Sequence, residues 1–228
     1  MAFYRRQPDI IIRNGTIVDG TGKLPYFADI AIIGDKIDYI GNLKGVSAPL
    51  EIDAHHKYVT PGFIDSHTHS DKTIFKHPHC QNALYQGTTT QIVANCGRTN
   101  VGLPEPEDGV WPAGSMGTTL DRVEEMGTSM NTAWLCGHND LRILADLRTT
   151  DYTEEQFQIM ASFLREAMEA GFIGFSTGLE FVPGVVSRPE EVERLAMVAA
   201  EYDANYSSHM RDEGYYLLES VNEFLNFL

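Results

Sequence analysis

Short apolar runs separated by glycine-containing turns occupy the start of the chain. The turn dipeptides are Asn14-Gly15, Asp19-Gly20 and Gly34-Asp35, and such dipeptides between apolar runs are typical of β-hairpins. The pattern therefore predicts a small β-sandwich-like domain over residues 1–59. Its expected strands fall at residues 9–13, 16–18, 28–33 and 36–40.

A different pattern begins after Tyr58, where apolar runs alternate with stretches of helical periodicity. The clearest helix is predicted over residues 153–170, because apolar residues recur there every three or four positions. Thr153 and Gln156 have the spacing of a capping box, and Gly171 is a typical helix stop. A second helix is predicted over residues 188–202, with Pro189 in its first turn. The predicted strands cover residues 62–65, 89–94, 132–136, 172–176 and 205–208.

Strands that alternate with helices predict a parallel sheet. A TIM (β/α) barrel takes about 250 residues for its eight strand–helix units, so residues 60–228 provide about five of them. The last apolar helical pattern runs to Leu228 without a cap, a glycine or a proline. We therefore expect residues 60–228 to form the first five units of an incomplete TIM barrel. A small open α/β sheet that ends at this point is the alternative.

The composition and charge of the chain exclude some classes of binding partner. The 228 residues carry a net charge of −15, with a pI near 4.8 and no cluster of Lys and Arg. Nucleic acids and anionic membranes bind through concentrated positive charge, so neither is an expected partner. No apolar run approaches the roughly 18 residues of a membrane span, and no apolar leader segment follows Arg5 and Arg6. Three cysteines are too few, and odd in number, for a framework of disulfides in a chain of this length. A reducing compartment, and therefore a cytoplasmic protein, is expected.

Potential metal ligands follow each predicted strand of the second domain. His67-Thr68-His69 comes directly after the first strand, and residues two apart on a strand face the same side. In a barrel, this end of the strand carries the active site. Imidazole, thiolate and carboxylate groups bind zinc, and a catalytic zinc keeps one position open for water. The residues that follow the other four strands are Cys96, His138, Glu180 and His209.

Several motifs carry a resemblance to a known family. Residues 59–69, which end in His67-Thr68-His69, resemble the first barrel strand of the amidohydrolase superfamily, and residues 9–20 resemble the sheet that precedes it. Other motifs resemble the D-aminoacylase branch, the N-acyl-D-amino-acid deacylases. These motifs are residues 87–90 leading to Asn95-Cys96-Gly97, residues 137–142, residues 176–179 and residues 208–213.

The resemblance implies a role for each ligand. His67 and His69 would hold the more weakly bound metal. Cys96 would bridge two metal positions, and His209 would bind the tightly held zinc. By the same resemblance, a further zinc ligand and the catalytic Asp that transfers protons fall beyond Leu228. The implied reaction is hydrolysis of the amide bond of a small N-acyl-D-amino acid by water that zinc activates.

Four residues are candidates for binding substrate or for supporting a metal ligand. His138 is expected to orient substrate, to hydrogen-bond a ligand or to cap the next helix. Glu180 lies where other branches of the superfamily carry a metal-bridging group, and the alternative is a solvated loop carboxylate. Phe181 stands where several deacylases have Tyr. Arg211 lies in a charged loop, where an ordinary salt bridge is equally expected.

Two other functions stay open. One is hydrolysis of a cyclic amide, as in dihydropyrimidinases and hydantoinases. Those enzymes usually bridge their metals with a modified Lys after the fourth strand, and no Lys follows Lys76 in this chain. The other is a noncatalytic fragment that self-associates, or binds a partner, through the open edge of its sheet, because exposed edges pair readily.

Overall fold

The computed structural model describes residues 4–99 and 115–226. The chain divides into two compact units, residues 1–62 and residues 63–228. Each unit has a hydrophobic core of its own. Within the described ranges, no helix combines the length and the apolar character that crossing a membrane requires.

The first unit is a single five-stranded sheet. Its strands are β1 Ile10–Ile17, β2 Tyr26–Ile33, β3 Lys36–Gly41, β4 Leu50–Asp53 and β5 Tyr58–Val59. The first three strands form an antiparallel meander, whereas β4 and β5 each pair in parallel with β1. Ile11, Ala31 and Leu43 form its core cluster of buried apolar residues. The predicted small N-terminal β-sheet is confirmed.

One predicted turn is wrong, because Asn14-Gly15 lies inside β1. The register of β1 on β2 shifts between Ile12 and Gly15, which marks a β-bulge and not a chain reversal. Asn14 adopts a left-handed φ of 56°. Its N–H donates to the Asp29 carboxylate at 3.0 Å, and its side-chain amide donates to Asp53 at 2.9 Å. These two bonds hold the bulge in place.

The second unit is built on a five-stranded parallel sheet. Its strands are β6 Phe63–Asp65, β7 Thr88–Val93, β8 Asn131–Gly137, β9 Gly174–Gly178 and β10 Asn205–His209. Each strand pairs with the next one along the chain. This sequential order is that of a barrel, whereas a doubly wound open sheet reverses its order at a switch point. The prediction of five units of an incomplete TIM barrel is confirmed.

Helices connect these strands. Thr153 and Gln156 form the predicted capping box at the start of the longest one, and Gly171 ends that helix with a left-handed φ of 108°. Pro189 is the first residue of the next helix, also as predicted. The helices are α1 Gln81–Leu84, α2 Ser115–Met126, α3 His138–Leu144, α4 Glu154–Ala170, α5 Pro189–Ala200 and α6 Leu217–Leu225.

The core of the second unit forms where helices and strands bury their apolar residues together. Trp134 on β8 and Phe175 on β9 are almost completely buried, as are Met160 and Leu164 on α4 and Leu195 on α5. Burying such side chains contributes about 1.5–3 kcal/mol each. This packing fixes the strands, and thereby the residues at their carboxyl ends.

Candidate metal centre

The structure brings the four predicted ligands together at the carboxyl ends of three strands. His67 and His69 follow β6, Cys96 follows β7, and His209 is the last residue of β10. Because neighbouring strands of the sheet are parallel, their carboxyl ends lie at the same edge. Residues far apart in sequence therefore meet in one place.

The thiol of Cys96 lies at the centre of this group. Its Sγ is 3.4 Å from Nε2 of His67 and 3.9 Å from Nδ1 of His209. The donor atoms of His67, His69 and Cys96 all lie within 4.8 Å of one another. Cys96 is thus in contact with one histidine that follows β6 and with another at the end of β10.

A second group of donors surrounds the other ring nitrogen of His209. Nε2 of His209 lies 2.8 Å from Oε2 of Glu180 and 3.7 Å from Oε1 of Glu213. The donor atoms of these three residues also lie within 4.8 Å of one another. His209 therefore belongs to the second group through Nε2 and contacts Cys96 of the first group through Nδ1.

Burial sets the protonation of two predicted ligands. Burial is the largest of the effects that raise the pKa of the half-buried Cys96 thiol. Burial also lowers the pKa of the His69 imidazole, and the nearby Lys72 acts in the same direction. His69 is therefore neutral, and able to coordinate a metal, at neutral pH. Cys96 keeps its proton until a cation displaces it.

The backbone that carries Cys96 has an unusual conformation. Ala94, Cys96 and Gly97 have left-handed φ values of 63°, 56° and 74°. The buried hydroxyl of Ser176 accepts a hydrogen bond from the Gly97 N–H at 3.1 Å and donates one to the Ala94 carbonyl at 2.7 Å. The buried Asp71 carboxylate accepts from the Ala94 N–H at 3.1 Å. Such strain persists only where surrounding contacts hold it, and these bonds fix the thiol.

His138 lies outside both donor groups. It is the fully buried first residue of α3, and its Nε2 is 2.7 Å from Oε1 of Glu191, which also pairs with Arg142. Nδ1 of His138 has no hydrogen-bond partner among the described residues. Burial lowers the pKa of this imidazole. The structure places His138 between α3 and α5, so a contact with substrate or with a metal ligand stays a prediction.

Phe181 and Arg211 have different surroundings. The ring of Phe181 packs against the His209 imidazole, with ring centroids 4.5 Å apart. Arg211 pairs with Glu223 at 2.7 Å and donates to the Val185 carbonyl at 3.1 Å. Phe181 thus contacts a predicted ligand directly. Arg211 is engaged in a salt bridge, and its role in substrate binding stays a prediction.

The sequence interpretation did not assign Asp71 or Glu191. Asp71 lies in the short 3-10 helix Ser70–Lys72, beyond the end of β6, so strand alternation gives no signal for it. Glu191 gives no sequence signal either. A Glu in the first turn of a helix is normally a solvated residue that complements the helix dipole, whereas Glu191 is buried in a pairing with His138 and Arg142 of α3.

Comparison with known proteins shows which family the chain belongs to. The amidohydrolase family model matches residues 50–213. N-acyl-D-glutamate deacylase and D-aminoacylase of Alcaligenes xylosoxydans xylosoxydans are 35% and 32% identical to the chain, over 95% and 94% of its length. The matches cover 46% and 47% of those two proteins. The chain therefore spans about half the length of the curated relatives it matches.

A solved structure is similar as well. N-acyl-D-glutamate deacylase from Bordetella bronchiseptica, determined with zinc and a phosphonate inhibitor that mimics the tetrahedral intermediate, is 34% identical with a TM-score of 0.89. The match covers 97% of this chain and 49% of that protein.

Proposed function

We propose that the chain forms part of a zinc-dependent hydrolase, which cleaves the linear amide bond of N-acyl-D-amino acids. The chain belongs to the amidohydrolase family. Two relatives that it matches over most of its length, N-acyl-D-glutamate deacylase and D-aminoacylase, are deacylases of this kind. The observation that carries the proposal is the position of the Cys96 thiol between His67 and His209.

The donor set fits zinc. Imidazole nitrogen and thiolate sulfur are the groups that zinc prefers, and with zinc–ligand bonds of about 2.0–2.3 Å two donors on one tetrahedral ion lie about 3.3–3.8 Å apart. The donor atoms of His67, His69 and Cys96 lie within 4.8 Å of one another. Small side-chain rotations would bring them onto one ion.

Zinc held by such donors lowers the pKa of water toward about 7 and polarises a carbonyl oxygen. The residues of this chain would hold and orient the ion. His67 and His69 would hold it at one position, His209 at the other, and Cys96 would serve both. Phe181 packs on the His209 ring and limits its rotation.

We further propose a cytoplasmic protein with a small-molecule substrate. The free thiols of Cys80, Cys96 and Cys136 support a reducing compartment. Self-association through the open sheet edge is an additional proposal. It is supported by Phe63 and Ile64 on β6, which are 58% and 68% exposed.

Metal binding tests the site. Zinc content of the purified chain would be compared with that of Cys96→Ala and His67→Ala. Cys136→Ala and His79→Ala are matched controls, because these residues lie outside both donor groups. We expect the first two variants to lose zinc and the controls to retain it. Equal zinc content in all five proteins would contradict the proposed site.

Substrate choice tests the reaction class. The zinc-loaded chain would be given N-acetyl-D-glutamate, N-acetyl-L-glutamate and hydantoin, and a phosphonate analogue of the D-substrate would be titrated against it. We expect binding to favour N-acetyl-D-glutamate and its phosphonate analogue over the L-isomer. Tighter binding of hydantoin than of the N-acetyl-D-amino acid would favour the cyclic-amide alternative.

A further inference from the structure

The two ring nitrogens of His209 face different chemistry. Nδ1 points to the Cys96 thiol at 3.9 Å, and Nε2 points to the Glu180 carboxylate at 2.8 Å. A neutral imidazole has one nitrogen that carries a proton and one with a free lone pair. Only the nitrogen with the lone pair can bind a metal, so the tautomer of His209 decides whether the ring can serve the Cys96 site.

Glu180 accepts a hydrogen bond and therefore favours one tautomer. A carboxylate 2.8 Å from Nε2 stabilises a proton on that nitrogen, which leaves the lone pair on Nδ1, directed at Cys96. Metal-binding histidines commonly donate their other N–H to a carboxylate, which fixes both the tautomer and the ring orientation.

The loop that carries Glu180 is tied to the backbone of His209. The Leu179 N–H donates to the His209 carbonyl at 2.9 Å, so the loop after β9 is fixed to the end of β10. The Phe181 N–H donates to the Gly178 carbonyl at 3.1 Å and closes the turn. Glu180 at the edge of the imidazole and Phe181 against its face thus come from one anchored segment.

We propose that Glu180 is a positioning residue, which holds the His209 imidazole in the tautomer and orientation that binds metal through Nδ1. This inference rests on the proposed function, because it assigns a role within the same metal site. It also distinguishes Glu180 from Glu213, whose carboxylate is 3.7 Å from Nε2 and beyond hydrogen-bonding distance.

Direct metal binding by Glu180, His209 and Glu213 is the competing interpretation. Two ligand atoms about 2.0 Å from one tetrahedral zinc lie roughly 3.3 Å apart. The separation of 2.8 Å between Nε2 and Oε2 is shorter than this and is a typical hydrogen-bond length. The geometry therefore favours a carboxylate that orients the ring over a carboxylate that shares a metal with it.

The first test is cobalt titration of the full chain, wild type and variants, read by the thiolate-to-cobalt charge-transfer band. Removal of a carboxylate that supports a metal ligand typically weakens binding 10- to 100-fold, and we expect this for Glu180→Ala. Glu180→Gln retains an acceptor oxygen and should recover part of the affinity. Glu213→Gln is the matched control, expected within about twofold of wild type. Circular dichroism checks that each variant is folded.

The second test uses the metal-free chain. Long-range proton–nitrogen NMR of the histidine side chains reports which ring nitrogen carries the proton. The signals of His209 are identified by their absence from the spectrum of His209→Ala. We expect protonation at Nε2 in the wild type and a mixture of tautomers in Glu180→Ala. Protonation at Nδ1 in the wild type would overturn the inference.

Three results distinguish a failure of this inference from a failure of the proposed function. Wild-type affinity in Glu180→Ala, with cobalt bound, would overturn the positioning role alone. Loss of a whole metal equivalent in both Glu180→Ala and Glu213→Gln would overturn it in favour of direct binding. Absence of cobalt binding by the wild type would overturn the proposed function and the inference with it.

Discussion

Gly178 and Cys96 lie in direct backbone contact, since a Cβ atom at Gly178 would overlap the carbonyl oxygen of Cys96. The end of β9 therefore sets the position of the loop that presents the thiol. The contact is possible only because residue 178 has no side chain, so this glycine is part of the architecture of the proposed metal site.

Gly178→Ala is expected to displace the Cys96 loop. Forcing a methyl group into packed backbone typically costs about 1–3 kcal/mol, and here the displaced atoms belong to the predicted ligand itself. We expect weaker zinc binding together with a lower free energy of unfolding, measured by chelator competition and urea titration.

Gly117→Ala is the matched control for this change. The added Cβ would meet Ala170 at 3.7 Å, which is ordinary van der Waals contact, and residue 117 lies in α2, where alanine is favoured. We expect unchanged zinc binding and equal or greater stability. Equal effects of the two substitutions would show that Gly178 has no special relation to the site.

Ser176→Ala removes the hydroxyl that holds the Cys96 loop. The Gly97 N–H and the Ala94 carbonyl would both lose their buried partner. An unsatisfied buried polar group costs about 1–3 kcal/mol, so we expect a loss of at least that size in the free energy of unfolding and a lower zinc affinity. Ser162→Ala, on the exposed side of α4, should change stability by less than about 0.5 kcal/mol.

Thr153→Ala tests the capping box of α4. The Thr153 hydroxyl accepts from the Gln156 N–H at 3.2 Å, and Gln156 Oε1 accepts from the Thr153 N–H at 3.0 Å. Loss of an N-cap costs about 0.5–2 kcal/mol. Thr153→Ser keeps the hydroxyl and should retain most of this stability in a thermal or urea titration, whereas zinc affinity should stay the same in both variants.

The capping box illustrates what the sequence can predict. Thr153, Gln156 and Gly171 act on neighbouring residues, so their effect can be inferred from spacing alone. The order of strands and the ligands that follow them are predictable for a related reason. Parallel strands place their carboxyl ends at one edge, and His67, Cys96 and His209 each lie there.

Other features depend on residues that are distant in sequence. Asn14-Gly15 has the composition of a hairpin turn, but it forms a bulge because Asp29 and Asp53 bind Asn14. The burial of Glu191 depends on its pairing with His138 and Arg142 of α3, which no local pattern encodes. Single-sequence periodicity reports neighbours along the chain, whereas these features report neighbours in space.

Glu191→Ala should be strongly destabilising. The fully buried Glu191 carboxylate pairs with both His138 and Arg142, and its removal leaves the Arg142 charge buried without this partner. Breaking such a buried pair costs about 3–5 kcal/mol. Glu190→Ala changes the neighbouring exposed residue and should cost less than about 1 kcal/mol. Urea titration of both variants measures the difference, and equal midpoints would contradict the assignment.

His138 should make stability fall as the pH is lowered. Burial lowers the pKa of His138 in the folded protein, while in the unfolded chain the imidazole takes up a proton near its ordinary value of about 6.5. Below that pH the unfolded state binds more protons, so the contribution of neutral His138 to folding is lost as the pH falls toward its folded pKa. One group can contribute at most about 1.4 kcal/mol per pH unit.

Other groups titrate in the same range, so the measurement has to be a difference between two proteins. Burial raises the pKa of Asp140 to about 6, which acts in the opposite direction, because the folded state then takes up a proton first. The free energy of unfolding would be measured at pH 7.5 and 5.5 for wild type and for His138→Gln, which cannot titrate but can still donate to Glu191. We expect a smaller loss of stability on acidification in the variant. Parallel pH profiles would show that His138 is not the group responsible.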